Sequence, residues 1–124
     1  MQVAKPNYFD YSRNMESLAA ISAFSALAQP TRLAAFRLLV ASEPRGLAAG
    51  VLADELGVPD NTLSTHLGLL SRAGLVSAQR QGRFIVYRAD VGRIRALVLF
   101  LLADCCGGRA DRCEPLLAEL LPCC

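Results

Sequence analysis

Five cysteines stand in the last 20 of 124 residues, Cys105, Cys106, Cys113, Cys123 and Cys124, and none precedes them. An odd number of thiols, in a chain that opens without an apolar leader, argues against a secreted disulfide framework. It argues for free thiols, metal ligation or redox work. Adjacent residues of a helix project about 100° apart, so Cys105 and Cys106 do not easily converge on one ion from mid-helix. Gly107-Gly108 directly after them permits the chain to unwind, and residues 107–112 can fold back to bring Cys113 toward the pair. The expected result is a three-thiolate site of Cys105, Cys106 and Cys113, with Cys123 and Cys124 as accessory candidates. Arg109 and Arg112 favour the thiolate forms. Three thiolates neutralise a trivalent ion, and all-sulfur ligation selects soft, thiophilic ions, so As(III) or Sb(III) fits best. Zinc would want a fourth ligand, which Cys123 or Cys124 could supply. Cysteines that serve only as small core residues would be scattered through the chain.

A second constellation lies in the middle of the sequence. A short helical pattern, a tight turn at Gly57-Val58-Pro59 and a second, leucine-rich helix form a helix-turn-helix pattern. The second helix of such a unit enters the major groove of double-stranded DNA and offers base edges the side chains near its start. Here those are Asn61, Thr62, Ser64, Thr65 and His66. The basic stretch Gln79-Arg80-Gln81-Gly82-Arg83 sits at the tip of a hairpin pattern and reads as a wing, with Arg80 and Arg83 reaching phosphates or a minor groove. Residues 29–95 carry nine Arg against five Asp or Glu, whereas residues 96–124 carry two Arg against four acids. Arginine suits bidentate and planar recognition of phosphates and bases. His66 is the only histidine. With no cysteine or carboxylate four residues away on either side, it suits a DNA contact or a surface position better than a metal site.

These groups need a scaffold, and the composition describes a small helical one. Hydrophobic residues make up 53%, charged residues 19% and aromatics 6%, with no Trp, so the core must come from Leu, Ala and Val. The length gives one domain. The longest apolar run, residues 96–103, is far short of the roughly 18 residues needed to span a bilayer, so a soluble, cytoplasmic protein without a membrane partner is expected. Residues 1–14 read as an N-terminal arm. Residues 15–104 read as the DNA-binding and dimerisation domain, and residues 105–124 as a cysteine-rich segment. Leu18, Ile21, Phe24 and Ala28 recur at helical spacing in a first helix. Pro30 starts a second, carried by Leu33, Phe36, Leu39 and Val40. Residues 47–56 read as a third. Asp60 or Asn61 is the expected cap of the fourth, which turns Leu63, Leu67 and Leu70 inward and ends at Gly74. Two short β-patterned segments flank Gln81-Gly82, a long helix follows over residues 91–104, and residues 115–121 suit one more short helix. The fold class is therefore mainly α, a winged helix-turn-helix with one β-hairpin.

In this order the motifs resemble the ArsR/SmtB family of winged-helix metal-sensing repressors. The residues that carry the resemblance are Ala26-Leu27-Ala28-Gln29-Pro30-Thr31-Arg32-Leu33, Leu52-Ala53-Asp54-Glu55-Leu56-Gly57, Asn61-Thr62-Leu63-Ser64-Thr65-His66-Leu67, Leu69-Leu70-Ser71-Arg72-Ala73-Gly74-Leu75-Val76, and Gly82-Arg83 to Tyr87-Arg88. The likeness covers about residues 16–104. It implies a homodimer built largely from the first and last helices, which blocks promoters until an inducer binds, with base reading by Ser64, Thr65 and His66. Two inducer sites common in the family are missing: residues 47–54 hold no cysteine, and residues 90–104 hold no histidine. The C-terminal thiols are then the remaining candidates, and some family members are similar in carrying an arsenite site there. The expected function is an arsenite- or antimonite-responsive repressor. The alternative is a redox- or persulfide-sensing repressor with the same fold and cysteines. A rival from another class is an oxyanion enzyme such as an arsenate reductase, since Cys106 and Arg112 match Cys-x5-Arg. That loop needs a helix N-terminus to cradle the anion, and here it follows a helix C-terminus, the wrong electrostatic end.

Overall fold

The computed structural model describes residues 17–102. The arm, the thiol segment with all five cysteines, and the short helix expected over residues 115–121 lie outside the described residues. The chain order is α1 (Ser17–Leu27), α2 (Pro30–Ala41), β1 (Leu47–Ala48), α3 (Ala49–Leu56), α4 (Asp60–Arg72), β2 (Val76–Gln81), β3 (Phe84–Ala89) and α5 (Val91–Leu101). The strands form one antiparallel sheet in the order β1-β3-β2. The hairpin register runs from Val76 opposite Ala89 to Gln81 opposite Phe84, leaving Gly82 and Arg83 as a two-residue turn.

Local chemistry explains most element ends. Pro30 opens α2, and the Gln29 side chain accepts from the Arg32 amide at 2.8 Å, which satisfies one of the free donors of a helix start. Asp90 does the same for α5 through the Arg93 amide at 3.1 Å. α4 differs from expectation. Its cap is Pro59, Asp60 is already the first helical residue, and no side chain bonds the free amides. Asp60 acts there through charge against the positive helix end.

The third helix also starts later than its apolar pattern suggests. Leu47 and Ala48 form β1 and pair with Tyr87 and Val86 of β3. That pairing is a tertiary choice invisible in a local window. Gly46 makes it possible, because a Cβ there would sit 2.5 Å from the Tyr87 carbonyl oxygen. The Glu43–Arg88 ion pair, at 2.7 Å, ties the same connection to β3. The hydrogen bond from Arg88 holds the Glu43 carboxyl below the ordinary carboxylate range. The contribution of this pair is therefore present at neutral pH and lost as acid titrates Glu43.

The core is made of leucine and alanine. Leu39, Leu52, Leu63, Leu67, Leu70 and Leu75 are its largest fully buried side chains. In α2, Phe36 and Leu39 go inward, while Leu33 and Val40 remain exposed. The greater departure is in α1, where Ala20, Ala23 and Ala26 are buried and the stripe of Leu18, Ile21 and Phe24 faces out, Leu18 being 76% and Ile21 62% exposed. Small residues let α1 approach α2 and α4 closely, and its large side chains are left without a partner among the described residues. Helix α5 fully buries only Leu97 and exposes Leu99 and Leu101.

Two glycines with similar backbones should respond differently to alanine. Gly57, with φ 69°, has no atom within 4 Å of an added Cβ, so Gly57→Ala should cost only the left-handed strain, about 1–2 kcal/mol. Gly46, with φ 80°, meets backbone, so Gly46→Ala should cost clearly more in urea denaturation and release β1 from β3 in amide exchange. Equal costs would refute the close approach.

Candidate nucleic-acid interface

Helices α3 and α4 are joined by Gly57, Val58 and Pro59, with Gly57 in the left-handed conformation and the Val58 amide bonded to the Ala53 carbonyl at 3.1 Å. This closing bond ends α3 and redirects the chain into α4. Helix α4 is amphipathic. Leu63, Leu67 and Leu70 are buried, whereas Asn61, Thr62, Ser64 and Thr65 are exposed on its N-terminal half. The Thr65 hydroxyl donates to the Asn61 carbonyl at 3.3 Å. One leucine face therefore fixes the helix, and its short polar groups stay free.

His66 is placed differently from the four residues before it. It is half-buried, and its Nδ1 lies 3.3 Å from Nη1 of Arg32. The Nε of Arg32 also donates to the Ala26 carbonyl at 2.6 Å. One guanidinium thus links the last turn of α1, the start of α2 and the middle of α4. This node was not singled out in the sequence. The only signal was its place in the Pro-Thr-Arg motif, three residues after the break at Gln29.

The hairpin projects a basic tip. Arg80 on β2 and Arg83 in the turn are exposed, and Phe84 and Ile85 beside them are exposed as well. Among the described residues, no three of His, Cys, Asp or Glu are grouped so that they could hold a metal ion. No described helix is long and apolar enough to cross a membrane.

A three-helix unit with its second and third helices joined by a tight turn, followed by a two-stranded wing, defines a winged helix-turn-helix DNA-binding domain. The helix-turn-helix domain family matches residues 27–77, and a helix-turn-helix transcriptional regulator of Mycobacterium tuberculosis is 33% identical over 99 residues, 77% of this chain and 84% of that protein. The chain belongs to the ArsR/SmtB family of winged helix-turn-helix transcriptional regulators. The repressor SmtB of M. tuberculosis is 35% identical over 85 residues, 68% of this chain and 61% of the repressor. Among solved structures, the homodimeric winged helix-turn-helix domain Mb0332 of Mycobacterium bovis, a possible ArsR-family regulator, superimposes with a TM-score of 0.56 at 31% identity, over 69% of this chain and 80% of that one. The relatives are named as regulators, and the chain is a DNA-binding regulator of that family rather than an enzyme.

Arginine can only donate. With Arg32 donating to Nδ1, the neutral His66 ring must carry its hydrogen on Nε2. Because the chain has one histidine, nitrogen-15 NMR of the imidazole reads this without assignment. The wild type should show a single Nε2–H tautomer and Arg32→Ala a mixture; identical spectra would dissolve the link.

Proposed function

We propose that this chain is a homodimeric operator-binding repressor that leaves DNA when As(III) or Sb(III) binds the thiolates of Cys105, Cys106 and Cys113. The observation that carries the reading is the state of α5. It buries only Leu97, packs Ile94, Ala96 and Phe100 partly against the core, exposes Leu99 and Leu101, and ends at Leu101, four residues before Cys105. A helix so weakly anchored can be moved by an event at its end. The outward stripe of α1 supplies the second apolar surface, and contiguous exposed apolar residues of this kind mark an interface. Pairing α1 and α5 with a second copy would set two α4 helices at a fixed separation, as two half-sites about one DNA turn apart require.

Base reading falls to Asn61, Thr62, Ser64 and Thr65, with His66 as the inner member tied to Arg32, and phosphate contact to Arg80 and Arg83. Three thiolates would hold the trivalent ion as a neutral complex, with Cys123 and Cys124 as accessory donors. Ordering residues 105–113 around the ion would pull the end of α5 and disturb the dimer seam. Coupling of this kind is worth about 1–3 kcal/mol, so a 5–150-fold loss of operator affinity is expected.

The test titrates the reduced dimer on operator DNA with arsenite, zinc and peroxide separately. Arsenite should release the wild type, whereas a Cys105→Ser, Cys106→Ser, Cys113→Ser protein should bind DNA normally and not be released. Release of that triple mutant at the same arsenite concentration would refute the site, and release by peroxide alone would make the protein a thiol redox sensor. Independently, Ile21→Glu should give a folded monomer in sedimentation with sharply reduced operator affinity. A dimer that survives this change would refute the role of the α1 stripe.

A further inference from the structure

An open cavity of about 190 Å³ lies where α1, α2 and α4 meet, lined by Ser22, Ser25, Ala26, Arg32, Leu69 and Arg72. Its polar side chains are two guanidinium groups and two hydroxyls, and among the described residues no carboxylate lines it. Among the described residues neither arginine is in an ion pair; the pair present there is Glu43–Arg88. Arg32 is held by its bonds to Ala26 and His66, which use two of the five donors of its guanidinium. Arg72 lies back along α4 over Gly68, its Nη1 3.9 Å from where a Cβ of residue 68 would be.

We propose that this cavity is an oxyanion site for a phosphate group. Two guanidinium groups that line one cavity without a carboxylate among the described residues repel each other until an anion bridges them. Their planar forks match phosphate oxygens bidentately, and Ser22 and Ser25 can donate to the oxygens that remain. Two sources offer this chemistry, the backbone of bound DNA and a free phosphate-type anion. The first follows from helix geometry. Arg72 is seven residues after Thr65, within about 20° of the same face and about 10 Å further along the axis. The major groove is about 12 Å wide. A helix that sets Thr65 at the base edges therefore carries Arg72 to the groove wall, where the phosphates are. The inference rests on DNA binding through α4 and is independent of the thiols.

The experiment measures affinity of the full chain for duplex DNA between about 50 and 200 mM salt, for wild type, Arg72→Ala, Arg72→Gln and the wing variant Arg83→Ala. Far-ultraviolet circular dichroism confirms that each is folded. A lost phosphate contact lowers the log–log salt slope by about 0.9, equally for all duplex sequences, and both Arg72 variants should show it. A second arm follows the melting temperature without DNA while inorganic phosphate replaces chloride at matched ionic strength. Stabilisation of the wild type that is lost in Arg72→Ala, with an unchanged DNA slope, assigns the site to a free anion. An unchanged slope together with no phosphate-dependent stabilisation overturns the proposal. A slope that Arg83→Ala also leaves unchanged refutes the wing, which separates failure of the DNA reading from failure of this site.

Discussion

The packing of Leu63, Leu67 and Leu70 into the core is the interaction on which the rest of the molecule depends. These three side chains lie on one face of α4 and are all but inaccessible to water, each worth about 2–5 kcal/mol against alanine. They fix the rotation of the helix about its own axis. Once that rotation is set, Asn61, Thr62, Ser64 and Thr65 must face solvent, since a 3.6-residue period allows no other outcome. The other elements supply the walls: Leu39 from α2, Leu52 from α3 and Leu75 just before β2 close the core around the leucine face.

The core closes without α1 and α5 contributing many large side chains. Helix α1 enters through alanines and α5 through Leu97. Both are thus coupled to α4 more by specific polar or space-filling contacts than by bulk. At one end Arg32 joins the Ala26 carbonyl to His66. At the other, the guanidinium of Arg93 in α5 packs over Gly74, just past the end of α4, so closely that a Cβ there would be 2.5 Å from Nη2. An arginine thus sits at each of these junctions, Arg32 against the middle of α4 and Arg93 against the residue that follows its end. An arginine contact can be broken and remade at small cost, whereas a leucine core cannot.

Much of this was visible in the sequence because it is local. The break at Gln29-Pro30, the turn at Gly57-Val58-Pro59, the leucine period of α4 and the two-residue hairpin turn each follow from residues within a few positions of one another. What was not visible depends on distant partners. β1 exists because β3 lies beside it and Gly46 lets the Tyr87 carbonyl approach. The α1 pattern gives the period correctly, but period alone does not say whether the large or the small residues face inward, and here the alanines do. His66 shares the local pattern of its four exposed neighbours, and only the contact with Arg32, 34 residues earlier, sets it apart. Asp60 has the side chain of a cap, yet Pro59 takes that position and leaves it a purely electrostatic role.

These placements constrain how an event beyond Leu101 could reach DNA. A stiff connection through the core is excluded, because moving the α4 leucines would cost several kcal/mol, more than the 1–3 kcal/mol typical of coupling between sites. The reading helix therefore has to remain seated in its own protomer. What could change at that energy is the relation of one protomer to another in the proposed dimer, since the outward faces of α1 and α5 are not locked into the core. In the proposed dimer, two rigid reading heads on a deformable seam would lose DNA by losing their spacing, without unfolding either head. The wing and the Arg72 cavity move with the same rigid body. Their phosphate contacts would then be lost together with the base contacts, making release cooperative across the whole interface.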